Sequence, residues 1–143
     1  MTIETGQRDR TREPTVATTR LPRYTPWQGI SVTPISGDEH GLDGFSLILA
    51  ETKPGGGVPA HSHPYQEVFI VREGLGRWIV GEKSYIAGPG DIVIAPANLQ
   101  HMFVNEGTEV MRHTSIQLTG TLGDALHRHP MANTLDMAAE IDG

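Results

Sequence analysis

Apolar residues along the chain recur in short runs that are separated by turn-forming residues. Between about residues 24 and 120 these runs are FSLILAET, EVFIV, RWIVG, DIVIAP, HMFVN and VMRHTSIQL. Glycine and proline stand between them, for example from Pro54 to Gly57 and from Gly88 to Gly90. Short runs with turn signals at this spacing are typical of an antiparallel sandwich or barrel and not of βαβ units. The pattern therefore predicts an all-β domain over residues 23–120.

The two ends of the chain show different patterns. Residues 1–22 are rich in Thr, Arg and Glu without an apolar period, which predicts an arm that is disordered or that orders only against a partner subunit. Residues 121–143 show weak helical spacing, so we expect one or two short helices packed outside the sheets. The apolar positions of that spacing are Leu122, Ala125 and Leu126, then, after a break at Pro130, Leu135, Ala138 and Ile141.

Composition narrows the classes of function. The 143 residues are enough for one domain with a core, and 11 basic against 17 acidic side chains give a net charge of −6. That balance disfavours binding to nucleic acid or to anionic membranes. Cysteine is absent, which excludes disulfides and thiolate chemistry, and no apolar run is long enough to span a bilayer. We therefore expect a cytoplasmic protein.

Three polar side chains lie close together in the stretch GGGVPAHSHPYQEVFIVREG. If one regular strand runs through residues 61–69, His61, His63 and Glu67 point to the same face, because residues two apart share a side. Imidazole and carboxylate groups inside a small barrel would cost roughly several kcal/mol in desolvation unless they are paired or bind an ion. The stretch GDIVIAPANLQHMFVN adds His101 at the start of its own strand.

Three imidazoles and one carboxylate suit one divalent transition metal ion: Fe, Mn, Ni, Co, Cu or Zn. With octahedral coordination, two positions would stay open for water, a substrate or dioxygen. The alternative is a buried, hydrogen-bonded polar cluster without metal.

These two stretches resemble the paired motifs of the cupin superfamily. The first pattern, G-x5-H-x-H-x3-E-x6-G, is met by Gly55, His61, His63, Glu67 and Gly74. The second, G-x5-P-x-G-x2-H-x3-N, is met by Gly90, Pro96, His101 and Asn105, with Asn98 where the family usually has glycine. Asparagine also tolerates a positive φ, so the turn stays plausible.

The resemblance covers about residues 45–118. It implies a small single-domain protein with a jelly-roll barrel (a double-stranded β-helix), in which His61, His63, Glu67 and His101 bind the metal. It does not imply one reaction, because this fold hosts oxygenases, isomerases, cyclases, sugar-binding regulators and storage proteins.

Other residues are candidates for the substrate and for proton transfer. Tyr65 and Phe69 share the parity of the first three ligands and Phe103 shares that of His101, so these three aromatic residues could line a substrate pocket. Their alternative role is plain core packing. His113 could act as a second base, unless it lies on an edge or on the outer face.

Further features have simpler interpretations. His127 and His129 repeat the H-x-H spacing in a predicted helix or loop, where such residues diverge, so we expect them to be solvated. The segment KPGGGVP lacks a following Gly-Lys-Ser/Thr and precedes a strand, so a turn is favoured over a phosphate cradle. The sequence leaves the direction of Trp78 undecided.

Three functions remain open. The leading hypothesis is a mononuclear-metal dioxygenase acting on a small phenolic, enolic or diketone substrate, with Glu67 as a ligand and as a base. The second is a Lewis-acid cyclase or isomerase with the same ligands, as in the cupin cyclases of polyketide pathways. The third is a non-catalytic module that binds a small molecule. Whether His113 or Tyr65 reaches the open metal positions would separate enzyme from binding module.

Association into a homodimer is expected on general grounds. A single barrel leaves sheet edges and apolar outer positions that two-fold pairing would cover. The resemblance implies dimers as well, and the N-terminal arm could add a strand to the other subunit.

Overall fold

The computed structural model describes residues 15–128, 130 and 131 of the chain, and the regular elements of this part are mostly strands. The nine strands are β1 (Ile30–Ile35), β2 (Ser46–Thr52), β3 (Gly57–His61), β4 (Glu67–Glu73), β5 (Gly76–Val80), β6 (Lys83–Ala87), β7 (Ile92–Ala95), β8 (His101–Val104) and β9 (Met111–Gln117). One short helix, α1 (Gly37–His40), was not predicted, and single 3-10 turns occupy Thr18–Arg20 and Asp124–His127. None of the helices in this described part is long and apolar enough to cross a membrane.

The strands form two antiparallel sheets. The five-stranded sheet has the order β1-β2-β9-β4-β7, and the four-stranded sheet has the order β3-β8-β5-β6. Most neighbours in these sheets are distant in sequence, so the chain passes back and forth between the sheets as a jelly roll does. The predicted all-β jelly-roll class is confirmed.

The core lies between the sheets because inward and outward positions alternate along the strands. In β2 and β9 every second residue is buried, as the two-residue period of a strand requires. Phe69, Trp78 and Phe103 pack together at the centre, with ring centroids 5.2 to 5.9 Å apart. Trp78 is fully buried and therefore points inward.

The expectation of one regular strand through residues 61–69 is wrong. His61 ends β3 in the four-stranded sheet, whereas Glu67 begins β4 in the five-stranded sheet. The residues between them carry the chain from one sheet to the other, and Pro64 within this segment has no N–H to donate to a strand ladder. The shared parity of these residues is thus accidental, although the side chains still converge.

The segment KPGGGVP forms the turn that was predicted for it. Gly55 has φ of +85°, a conformation that favours glycine, and the N–H of Gly56 donates to the carbonyl of Lys53 at 2.9 Å. A Cβ on Gly57 would collide with the carbonyl oxygen of Phe103 on the paired strand. Glycine here lets β3 and β8 approach closely, which brings His61 beside His101.

The predictions for the two ends are tested only in part. The C-terminal segment forms one 3-10 turn at Asp124–His127 in place of the expected first helix. Residues 1–14, 129 and 132–143 lie outside the described part, and with them the rest of the predicted arm, His129 and the second helical stretch.

Candidate metal centre

Four side chains from three strands and one crossing segment meet at one end of the cavity between the sheets. His61 ends β3, His63 follows it, Glu67 begins β4 and His101 begins β8. His61 and His101 are directly paired across the two strands. One nitrogen or oxygen atom from each of the four residues lies within 4.8 Å of the others. The structure therefore brings together all four predicted ligands.

The three imidazole rings are held in the same way. Each Nδ1 lies at hydrogen-bonding distance from a backbone carbonyl two residues away: His61 from Pro59 at 2.8 Å, His63 from Tyr65 at 2.8 Å and His101 from Leu99 at 3.0 Å. Donation of Nδ1–H to a carbonyl fixes the tautomer and leaves Nε2 with a free lone pair, which is the usual arrangement around a metal.

The contacts of Glu67 require a cation in the cluster. Its Oε1 lies 3.0 Å from Nε2 of His63 and 3.3 Å from Nε2 of His101. In neutral rings that donate through Nδ1, these nitrogens carry lone pairs and would repel the carboxylate. Either a proton on Nε2 or a bound metal ion turns the contacts into attraction. Three imidazole nitrogens and a carboxylate oxygen form a donor set that fits a divalent transition metal.

Glu67 is ionised in spite of its burial. Burial alone would raise the pKa of this carboxyl group, but hydrogen bonds from His101 and His63, with Nε2 protonated, and from Ser115 outweigh it and hold the pKa at about 2. A buried carboxylate that stays negative is a ready ligand for a cation.

Two residues that support Glu67 were missed from the sequence. The hydroxyl of Ser115 donates to Oε2 of Glu67 at 2.6 Å, and Nε2 of Gln117 donates to that hydroxyl oxygen at 3.0 Å. Gln117 is paired with Glu67 across β9 and β4. The alternation in MRHTSIQ, which places every second residue on the side of His113, was the available signal.

The cluster opens into a cavity of about 150 Å³ between the sheets. Its walls are mostly apolar, including Ile48, Val58, Phe69 and Phe103. The polar side chains that line it include three of the four clustered residues, His61, His63 and Glu67, and the side chains of His113, Ser115 and Gln117 along β9. An apolar cavity with a few polar groups is typical of a small-molecule site.

The three predicted wall residues all line this cavity. The ring of Tyr65 stacks on that of His63 at 4.1 Å, and burial, with a smaller effect of Glu67, raises the pKa of its hydroxyl. Phe69 and Phe103 also belong to the buried core. The two phenylalanines therefore both line the cavity and pack in the core.

His113 lies in the interior and not on an edge or on the outer face. Its ring contacts those of Phe69, Trp78 and Phe103 at 5.0 to 5.9 Å, and its Nδ1 is buried without a hydrogen-bond partner. Burial lowers the pKa of His113 to about 4, and the charge of Glu67 opposes this only weakly. The imidazole is therefore neutral at physiological pH.

A cap over the cavity joins residues from both ends of the described chain. Trp27 lines the cavity together with Gly123, Ala125 and Leu126. The guanidinium of Arg128 lies 5.8 Å from the centroid of the Trp27 ring, and the rings of Tyr24 and His127 meet edge to face at 4.7 Å. His127 is exposed, as expected. Local sequence patterns do not predict this cap because its contacts join distant segments.

Comparison with known proteins agrees with this geometry. A family model described as "Cupin domain" matches residues 48–117. The auxin-binding protein T92 of Nicotiana tabacum is 31% identical over 107 residues, covering 72% of this chain and 57% of that protein. The chain thus spans less than two thirds of the length of this curated relative.

Two solved structures show the same fold. A cupin-like protein from Thermotoga maritima is 28% identical, with a TM-score of 0.57, over 64% of this chain and 68% of its own. A recombinant oxalate oxidase, solved in complex with glycolate, is 21% identical, with a TM-score of 0.65, over 76% of this chain and 60% of its own.

Proposed function

The chain contains a cupin-superfamily domain, and from this premise we propose that it is a metal-dependent oxidoreductase, a mononuclear dioxygenase that acts on a small phenolic, enolic or diketone molecule. The proposed ligands of the metal are His61, His63, Glu67 and His101. One observation carries the proposal: Nε2 of two imidazoles lies 3.0 and 3.3 Å from one buried carboxylate, a third imidazole offers a nitrogen within 4.8 Å, and backbone carbonyls hold the Nδ1 atoms of all three rings. A bound divalent metal would supply Lewis acidity and, if it is redox-active, electron transfer to dioxygen.

The cavity limits the size of the substrate. An apolar cavity of about 150 Å³ is known to hold a molecule the size of benzene, and the cavity described above has that volume. A single ring or a short diketone therefore fits within it. We propose that Tyr65, Phe69 and Phe103 contact the apolar part of the substrate while its oxygen atoms face the ligand end.

Two side chains are proposed to take part in proton transfer. Glu67 is ionised and can accept the proton of a substrate hydroxyl through a carboxylate oxygen. His113 is neutral and its ring lines the cavity, while its Nδ1 is buried without a hydrogen-bond partner. Depending on its tautomer, this ring can donate a hydrogen bond to a substrate oxygen or accept a proton from it.

The names of the relatives support a small organic ligand. The tobacco protein is named for binding auxin, and the structural neighbour is an oxalate oxidase. Both names describe proteins that engage a small organic molecule. We propose the cytoplasm as the compartment, on the absence of cysteine, and a homodimer as the assembly.

Metal analysis together with oxygen uptake tests the proposal. The full chain, purified without added metal, is expected to contain close to one equivalent of a transition metal by mass spectrometry. Catechol, phenol and acetylacetone, supplied in turn, should reveal oxygen consumption by the loaded protein. His101→Ala should lose most of the metal and stay folded, whereas the matched variant His40→Ala, outside the cluster, should keep it.

Other results of these experiments would favour an alternative function or contradict the ligand assignment. Bound zinc without oxygen uptake would favour the Lewis-acid cyclase or isomerase. A folded protein that binds phenol but no metal would favour the non-catalytic binding module. Unchanged metal content in His101→Ala would contradict the ligand assignment.

A further inference from the structure

A polar pocket lies on the outer face of the five-stranded sheet, on the side away from the metal centre. Its volume is about 310 Å³, and Thr33 and Leu49, which pair across β1 and β2, line it. Their chain neighbours Val32 and Ile48 line the metal cavity. Because successive side chains of a strand point to opposite faces, the two pockets lie on opposite sides of this sheet.

Five charged side chains line this pocket, and positive charge is in excess. They are Arg23, Arg72, Arg112, Glu51 and Glu73, and we call the site the arginine pocket. Arg112 is compensated, since it pairs with both Glu51 and Glu73. The uncompensated charge therefore belongs to Arg23 and Arg72, and it makes the pocket attractive to an anion.

Arg23 is buried with one of its two amino groups unpaired. Its side chain is 3% exposed, and its Nη2 donates to the hydroxyl of Ser31 at 2.6 Å and lies 3.7 Å from Oε2 of Glu51. Nη1 is buried and has no hydrogen-bond partner in the part of the chain that the structure describes. Burial lowers the pKa of Arg23, and the charge of Glu51 offsets this only in part. A buried guanidinium donor without an acceptor is costly, and a bound anion would remove that cost.

Arg72 reaches the arginine pocket from a bulge in β4. Val71 lies opposite His113 and Glu73 lies opposite Arg112, so Arg72 is an extra residue with none opposite it on β9. Bulges of this kind redirect a side chain and are frequent beside functional sites. Among the described residues, nothing forms a hydrogen bond or an ion pair with the guanidinium of Arg72. It is therefore free to bind a ligand.

An unpaired acceptor in the same pocket restricts the kind of anion. Oε2 of Glu51 is buried and has no hydrogen bond within the described ranges. A carboxylate oxygen can only accept, so a ligand that meets it must carry a proton. The ligand must also offer charged oxygens to Arg23 and Arg72. Phosphate has both, since near neutral pH it keeps at least one proton, whereas sulfate keeps none.

We propose that the arginine pocket binds a phosphate group that retains a proton, with its charged oxygens toward Arg23 and Arg72 and its O–H toward Glu51. Arginine suits this ligand because its planar guanidinium matches phosphate oxygens. The hydroxyls of Thr18 and Thr19 also line the pocket and can donate to the same oxygens. The pocket is larger than the cavity of about 150 Å³ that holds benzene, so both free phosphate and the phosphate of a small ester fit it.

Calorimetric titration of the full chain with inorganic phosphate tests this site. Arg72 is exposed, so Arg72→Gln should keep the circular dichroism spectrum and raise the dissociation constant for phosphate by about tenfold to hundredfold. The control is Arg77→Gln, the same substitution on β5 of the four-stranded sheet, outside the pocket. It should bind phosphate as the parent protein does.

Two further ligands define the chemistry of the site. Sulfate resembles phosphate in shape but has no proton for Glu51, so the parent protein should bind it about tenfold or more weakly. In Glu51→Gln the amide can donate to either anion, and this preference should fall below about threefold. Glycerol phosphate at about pH 6, where an ester also keeps part of its protons, distinguishes the sources: tighter binding than that of free phosphate identifies an ester as the ligand.

Three results would overturn the proposal. The first is a parent protein that binds no phosphate, or that binds it with the same affinity as Arg72→Gln. The second is equal binding of phosphate and sulfate by the parent protein, which would refute the contact with Glu51. The third is phosphate binding that His101→Ala loses and Arg72→Gln keeps, which would place the anion at the metal centre. Metal content is measured separately and should be unchanged in Arg72→Gln, so the two proposals fail independently.

Discussion

The hydroxyl oxygen of Ser115 lies 2.6 Å from Oε2 of Glu67, although the two residues are 48 positions apart in the chain. Gln117 donates to the same hydroxyl oxygen, so the proton of Ser115 points to the carboxylate. The candidate metal centre therefore depends on β9, a strand that contributes no ligand. Hydrogen bonds of this kind orient a ligating carboxylate and tune its affinity for the metal.

Loss of this hydrogen bond should weaken metal binding. Ser115→Ala is expected to reduce the affinity for Zn²⁺ by about tenfold to hundredfold, the range observed for such supporting contacts. Competition with a chromophoric chelator measures the change. Thr114→Ala, the outward neighbour on the same strand, serves as the control and should bind the ion as the parent protein does. Equal affinities in the two variants would show that Ser115 does not support the ligand.

His113 should make the stability of the metal-free protein depend on pH. Its pKa is lowered by burial to about 4 in the folded state, whereas an unfolded histidine titrates near 6.5. Between these values the unfolded chain binds more protons, so stability falls as the pH falls. From pH 7 to pH 5 this group should remove about 2 kcal/mol.

Urea unfolding at pH 7 and pH 5 measures this effect. His113→Phe keeps an aromatic ring among Phe69, Trp78 and Phe103, and its stability should fall by about 2 kcal/mol less over the same interval. All other titrating groups are common to both proteins, so they largely cancel in the comparison. Equal pH dependence in the two proteins would mean that His113 is accessible to protons in the folded state.

Trp27 should contribute to binding through the cap. Its ring lines the cavity, and removal of that apolar surface should cost about 1–2 kcal/mol of ligand binding. We expect Trp27→Ala to raise the dissociation constant for phenol, used as a probe, by about fivefold to thirtyfold. Calorimetry gives the constant. Arg128→Ala removes the contact above the ring without changing the wall, so its effect should be smaller, and the reverse order would contradict this role for Trp27.

Asn105 should be important for folding and not for chemistry. It is 1% exposed, its amide nitrogen donates to the carbonyls of Thr52 and Glu109, and its amide oxygen accepts from the N–H of Gly107. Asn105→Ala leaves those backbone groups without partners and should cost about 2–4 kcal/mol in urea unfolding.

Asn98 serves as the control for the stability effect expected at Asn105. Asn98 has φ of 66°, so glycine can replace it without strain. Asn98→Gly should change the stability by less than about 0.5 kcal/mol. If Asn105→Ala and Asn98→Gly lost a similar amount of unfolding free energy, Asn105 would have no special structural role.

The ligand set could be predicted from sequence because its chemistry is unusual. Buried imidazoles and carboxylates are costly, so their regular spacing in two motifs indicated a common purpose, and the positive φ of Asn98 agrees with the turn expected there. The path of the backbone between them could not be predicted. The period of a strand fits residues 61–69, but the tertiary structure places His61 and Glu67 in different sheets.

Residues whose contacts join distant segments of the chain could not be predicted from sequence, for a different reason. Ser115 and Gln117 are common in strands of any kind, and only the pairing of β9 with β4 places them beside Glu67. Likewise, Trp27 and Leu126 line the same cavity although 99 positions separate them in the numbering. Local patterns carry no information on which distant segments become neighbours.

The alternation along β4 has a consequence for how related sequences can diverge. Glu67 and Phe69 point into the interior, while Val68 and Ile70 between them point to the outer face of the sheet. A one-residue insertion after Glu67 would turn the residues that follow it over, so that Phe69 would leave the core and Val68 would enter it. Length variation among related sequences should therefore be confined to the loops that flank the strand.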